Sequence, residues 1–218
     1  MKIDLHVHST YSGDSNGKPR DILKKAEKTD LDGLAIMDHN TLEGYRSIKD
    51  EETSLIVVPG IEVSTEQGHV MAIGIQEEIG KQPTIAEAID EIQAQGAIAA
   101  APHPYRYWSG MGEENLFSND WTAIEGINGR SWYGKNIKAR KAAKKLGLPI
   151  IGGSDAHRLK SVGKAYGIFE NIESWDDVVS EIEKGNVDAG GEDRTFVQTF
   201  FYIRRAILGY ARRGFKKI

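Results

Sequence analysis

The sequence has no cysteine among its 218 residues. This absence excludes disulfides, thiolate-held metal ions and cysteine nucleophiles. Any metal ion must therefore be held by imidazole and carboxylate groups, which suit zinc, manganese and iron. The sequence also lacks an evident signal peptide and a run of about 20 apolar residues that could span a membrane. These absences predict a cytoplasmic protein with no membrane span.

Proline is scarce as well, with six residues, and no repeat or low-complexity segment is found. The length suffices for one domain with a sizeable core. Residues 194–218 carry seven of the 28 basic residues and none of the 32 acidic ones. We therefore divide the chain into a main domain at 1–193 and a basic C-terminal helix at 194–218, which packs on that domain or extends from it. Such a basic segment could also contact a polyanion or a membrane surface.

Short apolar runs alternate along the chain with amphipathic segments. Residues 97–101, for example, form an apolar run that follows a helical pattern at 84–95. This alternation indicates an α/β fold with a parallel sheet covered by helices. About seven such units predict closure into a barrel, with a doubly wound open sheet as the alternative. The strand at 55–63 is expected to break at Pro59-Gly60, and residues 105–120 are expected to form a long loop.

Polar residues that could serve as metal ligands or as catalytic groups fall at the ends of the predicted strands. Nearly all of them would face one mouth, because ligands bind at the carboxyl ends of parallel strands. The candidates are His6, His8, Asp38, His39, Glu62, His69, His103, Asp155 and His157. Only His69 is an exception, since it opens a strand. Six imidazoles exceed what one ion uses, so the sequence predicts a site for more than one ion.

The spacing of these residues supports the same interpretation. His6 and His8 lie two residues apart in a strand and therefore face the same side. Asp155 and His157 do likewise if their segment is extended. Each pair alone is a weak signal, because a single histidine is more often a surface or core residue than a ligand. The joint placement is the stronger evidence, because all six histidines of the chain lie at the ends or starts of predicted strands.

Six stretches of sequence occur in the order typical of one family. They read DLHVHSTYSGDS, GLAIMDHNTLEG, PGIEVST followed by GHVMAIGI, AAPHP, IEGINGR and GGSDAH. From Lys2 to about Phe169 the chain resembles the PHP (polymerase and histidinol phosphatase) family. The resemblance implies a single-domain, distorted (β/α)7 barrel similar to amidohydrolases, with residues 1–193 as the catalytic domain. It also implies a metal-dependent phosphoesterase that activates water with two or three divalent ions.

The resemblance assigns ligands to three ions. The first ion would be held by His6, His8, Glu62 and Asp155. The second would be held by Asp14, His39 and His157. The third would be held by Glu62, as a bridge, with His69 and His103. The loop Ser12-Gly13-Asp14-Ser15 carries one glycine more than the family's Ser-Asp-Gly, so the role of Asp14 depends on its register.

Three further side chains are candidates for catalysis beside Glu62. Asp38 could orient His39 or a nearby ligand, or could form only a hydrogen bond at a helix end. Arg130 follows a strand end and Arg106 lies in the long loop. A guanidinium group matches phosphate with two parallel hydrogen bonds, so both arginines could touch substrate. Either could instead be a surface residue.

Three substrate classes fit these residues: a small phosphomonoester, a nucleotide and a nucleic-acid end. Four aromatic residues near the predicted mouth could stack on bases or could only close the pocket. They are Tyr105, Tyr107, Trp108 and Trp132. Three alternative functions stay open. They are an amidohydrolase-type enzyme that cleaves C–N bonds, a nuclease specific for 5′ ends or single strands, and a non-enzymatic metal- or nucleic-acid-binding module.

Overall fold

The computed structural model describes residues 1–80, 82–201 and 204, which form one nine-stranded sheet flanked by helices. The strands are β1 (Lys2–Val7), β2 (Gly33–His39), β3 (Ile56–Thr65), β4 (Gly68–Ile73), β5 (Ile98–Ala101), β6 (Ala123–Asn128), β7 (Ile150–Gly153), β8 (Ala165–Ile168) and β9 (Asp188–Gly191). The helices are α1 (Pro19–Ala26), α2 (Glu43–Arg46), α3 (Ile85–Ala94), α4 (Gly112–Ser118), α5 (Lys135–Leu146) and α6 (Trp175–Glu183).

The sheet has the strand order β7-β6-β5-β4-β3-β2-β1-β8-β9. Strands β1, β2 and β3 are parallel, as are β5, β6 and β7. Strand β4 runs antiparallel to both of its neighbours, so all six parallel strands point the same way. Val7 at the end of β1 also pairs with Ala156, just beyond β7, which nearly closes the sheet into a barrel. The predicted α/β barrel fold is therefore confirmed.

The predicted parallel sheet is only partly observed, because β4, β8 and β9 run antiparallel to their neighbours. Only Glu66 and Gln67 join β3 to β4, whereas a parallel crossover needs a dozen residues or more. The reversal has a consequence for the site. Because β4 runs backwards, its first residues lie at the edge where the parallel strands end, and His69 is one of them.

Helix α3 confirms the helical pattern predicted at 84–95. Thr84 and Glu87 form a capping box, in which the Thr84 hydroxyl accepts a hydrogen bond from the Glu87 N–H. The apolar side chains on one face of the helix are buried against the sheet. They are Ile85, Ala88, Ile89 and Ile92. Gly96 follows the helix with a φ of 73°, a left-handed conformation that glycine adopts without strain.

Strand β3 continues through Pro59-Gly60, so the predicted break is wrong. The Pro59 carbonyl accepts a hydrogen bond from the Gly74 N–H at 2.8 Å. Gly74 lies one residue beyond the end of β4, so Pro59 stands opposite the point where the antiparallel pairing stops. The missing N–H of the proline therefore costs little there. A Cβ on Gly60 would come within 2.6 Å of the Met37 methyl group, so a larger residue there would require the Met37 side chain to shift.

Residues 105–120 contain helix α4 and are not the uninterrupted loop that was predicted. Leu116 on this helix is fully buried, and Met111 before it is nearly so. A helix of seven residues buries too few apolar side chains to leave a clear periodic pattern, which is why the sequence did not reveal it. The segment before α4, which carries Arg106, stays irregular.

The basic C-terminal segment is described only at its beginning. Residues 196–201 are helical, and the Thr199 hydroxyl accepts a hydrogen bond from the Tyr133 N–H at 3.0 Å. Residues 202–203 and 205–218, and with them most of the predicted helix, lie outside the described residues. Within the described ranges, no helix combines the length and apolar character that crossing a membrane requires.

Gly153, the last residue of β7, allows the close packing of β7 against β1. A Cβ at this position would overlap with the Cβ of His6. We expect Gly153→Ala to lower the free energy of unfolding by about 1–3 kcal/mol, the usual cost of overpacking. Chemical denaturation followed by circular dichroism measures it.

The matched control is Gly80→Ala, where the nearest atom, Glu91 Oε1, is 3.8 Å from the added Cβ. That change should leave stability unaltered or raise it slightly. Equal unfolding free energies for the two variants would contradict the packing argument.

Candidate metal centre

The nine predicted ligands converge at the mouth of the barrel. His6 and His39 lie on β1 and β2, Glu62 on β3, and His69 on β4. The others follow strand ends or, for Asp14, lie in the loop after β1. Their nitrogen and oxygen atoms form four overlapping groups, and within each group all atoms lie within 4.8 Å of one another. The groups are His8, Asp14, His39 and His157; His6, Glu62 and His103; His6, His8 and Asp155; and His39, Glu62 and His69.

Glu62 is the centre of this cluster, and its side chain is almost completely buried. Its Oε1 lies 2.8 Å from the Nδ1 of His69 and 2.8 Å from the Nε2 of His103. Its Oε2 faces three other rings, those of His8 at 3.1 Å, His6 at 3.4 Å and His39 at 3.4 Å. The two oxygens thus face different sets of imidazoles, which is the arrangement expected of a carboxylate shared between ions.

Asp14, whose register the sequence left open, reaches the cluster from its loop. Its Oδ2 lies 2.8 Å from the Nε2 of His157 and 3.7 Å from the Nε2 of His39. The additional glycine, Gly13, has a φ of 79° and caps the short helical turn at Thr10–Ser12. A left-handed residue at this point lets the loop turn back toward the mouth.

Hydrogen bonds fix which nitrogen of His6 and His8 faces the cluster. The Nδ1 of His6 lies 3.0 Å from Glu125 Oε1, so it carries the proton. The Nδ1 of His8 lies 2.9 Å from the Ser12 hydroxyl, whose own hydrogen is donated to Asp38 Oδ1 at 2.7 Å. The Nδ1 of His8 must therefore donate as well. Both Nε2 atoms are left with lone pairs directed into the cluster.

These two Nε2 atoms lie only 3.0 Å apart. Two lone pairs at that distance repel each other unless a proton or a cation lies between them. Nitrogens about 2.0–2.1 Å from one ion are separated by about 3 Å when they occupy adjacent coordination positions. The Nδ1 of His39 is also buried, has no hydrogen-bond partner within the described ranges, and lies beside Glu62. The donor set therefore fits divalent metal ions.

The two predicted catalytic arginines both lie at the edge of the cluster. A terminal nitrogen of Arg106 donates to Asp155 Oδ2, and Arg130 Nη1 donates to Asp155 Oδ1 at 3.1 Å. Arg106 also donates to the Asn128 side-chain oxygen at 2.8 Å. The two guanidinium groups are thus placed on either oxygen of one buried carboxylate, next to the imidazoles.

Asp38 does not contact the ring of His39. Its carboxylate accepts hydrogen bonds from the Ser9 N–H and hydroxyl, both at 2.6 Å, and from the Ser12 hydroxyl. Ser12 in turn contacts the His8 ring and accepts from the backbone N–H of His39 at 3.1 Å. Asp38 therefore acts on the cluster through Ser12, and it holds the turn that leads to Asp14.

Comparison with known proteins identifies the family to which this chain belongs. The family model described as PHP domain matches residues 4–118, and the model described as PHP-associated matches residues 134–187. The chain belongs to the PHP domain family. An uncharacterized protein of Methanocaldococcus jannaschii is 36% identical over 160 residues, which cover 67% of this chain and 94% of that protein.

Solved structures with the same fold carry several different descriptions. A two-domain protein from Bacteroides vulgatus, described as containing a predicted PHP-like metal-dependent phosphoesterase, has a TM-score of 0.68 at 18% identity, over 93% of this chain and 69% of that one. An amidohydrolase from Chromobacterium violaceum has a TM-score of 0.64 at 18% identity, over 75% and 90%. A lesion-specific endonuclease from Pyrococcus furiosus has a TM-score of 0.64 at 14% identity, over 88% and 59%. At such identities the similarity concerns the fold.

Glu125 belongs to this PHP site although sequence reasoning missed it. It is fully buried on β6, and besides His6 it accepts hydrogen bonds from the His103 N–H at 2.8 Å and the Asn128 side-chain amide at 3.0 Å. Asn128 also donates to Asp155 at 3.1 Å. The available signal was an acidic residue inside an otherwise apolar strand, since such a residue is rarely buried without a partner.

Two residues of the site adopt a left-handed backbone conformation. The φ of His103 is 27° and that of Asp155 is 51°. Non-glycine residues in this region cost about 1–3 kcal/mol each and persist only when their surroundings hold them. The hydrogen bond from the His103 N–H to Glu125 is one such restraint. Both residues belong to the cluster, so the strain is concentrated at the site.

Burial and neighbouring charges set the protonation of the site. Burial would raise the pKa of Glu62, but His69 and His6 hold it well below its usual range. Burial would also raise the pKa of Asp155, but the neighbouring guanidinium groups hold it well below its usual range. Burial lowers the pKa of His8 and of His103 to about 3, so both rings are neutral and can offer a lone pair.

His6 differs from these two rings. Burial lowers its pKa, but the carboxylates of Glu125, Asp155 and Glu62 outweigh that effect and raise the pKa well above its ordinary value. Without a cation, His6 therefore carries a second proton at neutral pH, on the Nε2 that faces His8, and a cation would displace that proton.

This displacement predicts how metal affinity depends on pH. Because His6 is protonated below its raised pKa, binding a divalent ion at neutral pH must release a proton. Affinity should therefore fall as the pH is lowered. Calorimetric titration with Mn²⁺ at one pH, in buffers of different ionisation enthalpy, measures the released protons. Binding heats that do not depend on the buffer would contradict this assignment.

Glu125→Gln tests the support of His6. The amide removes the charge that keeps a proton on the Nδ1 of His6, and loss of such a supporting carboxylate typically lowers metal affinity about 10- to 100-fold. The measurement is Mn²⁺ titration of metal-free protein. The exposed Glu52→Gln is the matched control and should leave affinity unchanged. Equal affinities for the two variants would show that Glu125 does not support the site.

Proposed function

We propose that this chain is a metal-dependent phosphoesterase that hydrolyses a phosphate ester with water activated at a di- or trinuclear site. One observation carries the proposal. The imidazole–carboxylate cluster around Glu62 is bordered by two guanidinium groups, those of Arg106 and Arg130, within hydrogen-bonding distance of Asp155. Cations and guanidinium groups on one side of a mouth suit a substrate that carries several negative oxygens.

Three subsites divide the ligands in this proposal. The first consists of His6, His8, Glu62 and Asp155. The second consists of Asp14, His39 and His157. The third consists of Glu62 with His69 and His103. Divalent zinc, manganese or iron ions bound there would neutralise charge on the phosphoryl oxygens and lower the pKa of water. Glu62 has the central role, because it contacts five of the six histidine rings.

The arginines supply donors that hold the phosphate. In the structure, Arg106 and Arg130 are both turned toward Asp155, which places their guanidinium groups over the cluster. A guanidinium group carries five N–H donors, so it can serve a carboxylate and a phosphoryl oxygen together. Asp38 has a positioning role, since it holds Ser12 against His8. These roles use all of the catalytic candidates identified in the sequence.

A nuclease acting on 5′ ends or single strands is the second candidate within phosphate-ester hydrolysis. The exposed aromatic residues beside the mouth and the similarity to an endonuclease fold support it. Cleavage of C–N bonds is supported by the similarity to an amidohydrolase fold. The arginines beside the cluster favour a phosphate substrate over a neutral cyclic amide. The substrate would then be a small phosphomonoester, a nucleotide or a nucleic-acid end.

In this proposal residues 1–193 form the catalytic domain and residues 194–218 form a basic C-terminal extension, of which residues 196–201 are helical. The contact between Thr199 and Tyr133 supports packing of its first turns on the domain, three residues from Arg130. The extension could therefore approach a long anionic substrate that projects from the site.

Glu62→Ala tests the proposed function. Hydrolysis of p-nitrophenyl phosphate should fall by at least about 100-fold, more than for loss of a residue that only supports a ligand. Bound metal per chain, measured by mass spectrometry, should fall with it. Glu66→Ala, an exposed glutamate on the β3–β4 turn, is the matched control. Full turnover by a folded Glu62→Ala variant would rule out its central role.

A substrate panel separates the remaining classes. Wild-type protein supplied with Mn²⁺ or Zn²⁺ should hydrolyse p-nitrophenyl phosphate and leave dihydrouracil, a cyclic amide, intact. The opposite preference would establish C–N hydrolysis and reject the phosphoesterase. Release of mononucleotides from a 5′-phosphorylated single strand would assign the nuclease subclass.

A further inference from the structure

Three aromatic side chains form an exposed cluster on the two connections that carry Arg106 and Arg130. Tyr107 and Trp108 are 72% and 81% exposed, and Trp132 is half-buried. The centroid of the Tyr107 ring lies 5.1 Å from that of Trp108 and 6.4 Å from that of Trp132, and the two tryptophans are 5.9 Å apart. We call these three residues the aromatic platform. None of them belongs to the buried core, so packing does not account for them.

The aromatic platform is tied by the chain to the two arginines of the site. Tyr107 directly follows Arg106, and Trp132 comes two residues after Arg130. Two residues span at most about 7 Å of chain. The guanidinium groups of both arginines reach Asp155, inside the cluster. A substrate whose phosphate is held by these arginines would therefore place its next chemical unit over the platform.

The geometry of the rings indicates what that unit is. The planes of Tyr107 and Trp132 are nearly parallel, at 13°, whereas Trp108 stands at 74° and 85° to them. Parallel, accessible π faces suit another flat ring. A flat ring joined to a phosphate by a short linker describes a nucleobase on its sugar phosphate, and aromatic side chains bind successive bases of single strands by stacking.

Local charge favours the same ligand. Residues 105–112 and 126–138, which carry the platform, contain Arg106, Arg130, Lys135 and Lys138. Glu113 follows the first segment and forms an ion pair with Lys138 at 3.0 Å, which offsets that charge. The two guanidinium groups beside an aromatic surface suit an anionic ligand with flat rings.

We propose that Tyr107, Trp108 and Trp132 bind nucleobases, so that the substrate of this site is a nucleotide or the end of a nucleic-acid single strand. This inference rests on the proposed phosphoesterase function and names its substrate class. Arg106 and Arg130 hold the phosphate, and the platform holds the base attached to it. The competing role for the platform is a cover that closes over any phosphate substrate. The two roles differ in one respect, because a cover acts equally on ligands with and without bases.

Direct binding distinguishes these roles without requiring hydrolysis. The probes are a hexathymidylate and an abasic hexamer, both 5′-phosphorylated, labelled at the 3′ end with fluorescein and built with phosphorothioate linkages that resist hydrolysis. Fluorescence anisotropy measures their affinity for the purified full-length protein. We expect the hexathymidylate to bind at least about tenfold more tightly, because only it can stack.

Substitution then assigns the difference to the platform. Trp108→Ala and Trp132→Ala should each weaken hexathymidylate binding by about 5- to 150-fold, the range for removal of one stacked base contact. Neither should change binding of the abasic hexamer. Trp108→Phe keeps an aromatic face and should retain most of the affinity, which makes it the matched control. Trp108 is so exposed that its replacement should not disturb folding.

Several results would overturn the inference: equal affinity of the two probes, no binding of either, unchanged affinity in both alanine variants, or an equal loss on both probes. Adenosine 5′-monophosphate as a competitor separates the two sources of the base. Competition at similar nucleotide concentrations indicates a mononucleotide substrate, and much weaker competition indicates a strand end. Failure of the proposed phosphoesterase activity would appear separately, as absent hydrolysis of p-nitrophenyl phosphate.

Discussion

A buried carboxylate surrounded by imidazoles is the constraint on which the rest of this structure depends. Glu62 is removed from water and contacts five histidine rings. An isolated charge in such a place costs several kcal/mol, so it must be matched by positive charge nearby. The strands bring that match to one point, since six of them end at the same edge and β4 begins there. The barrel therefore brings histidines from distant parts of the chain into contact with the Glu62 carboxylate.

A second layer of hydrogen bonds makes the cluster able to receive cations. Glu125 and Ser12 accept hydrogen bonds from the Nδ1–H groups of His6 and His8, which directs the Nε2 atoms inward. Glu125 also restrains the left-handed backbone of His103, and Asn128 connects Glu125 to Asp155. The same few polar residues therefore orient the rings and hold the strained backbone. Because each has more than one partner, loss of one would disturb several ligands together.

Strand ends and two-residue spacing favoured a barrel and placed seven of the nine candidate ligands at one mouth. His69, Asp14 and the division of the ligands into three groups came from the resemblance to the PHP family. The sequence was insufficient where the direction or facing of a residue decides its role. The apolar pattern of β4 is the same whether the strand runs parallel or antiparallel, so the position of His69 at the mouth could not be derived. Glu125 lies within an apolar strand, and nothing local indicates that its carboxylate faces His6. Asp38 was placed near the site, but its action through Ser12 depends on a loop conformation that has no periodic signal.

Most of the candidate metal ligands lie at strand ends and the proposed substrate-binding side chains lie on loops. This separation explains how one fold can catalyse different reactions. Most ligands lie on or directly after strands, where pairing on both sides holds the backbone. Arg106, Tyr107, Trp108, Arg130 and Trp132 lie on the two connections after β5 and β6, which the sheet does not restrain. Loops on a rigid scaffold can vary without disturbing it, and function resides in the site more than in the fold. The shared fold of a phosphoesterase, an amidohydrolase and an endonuclease is consistent with this division. In this chain the loops add guanidinium groups and flat rings to a common metal-binding centre, and these two additions are the features from which its substrate is inferred.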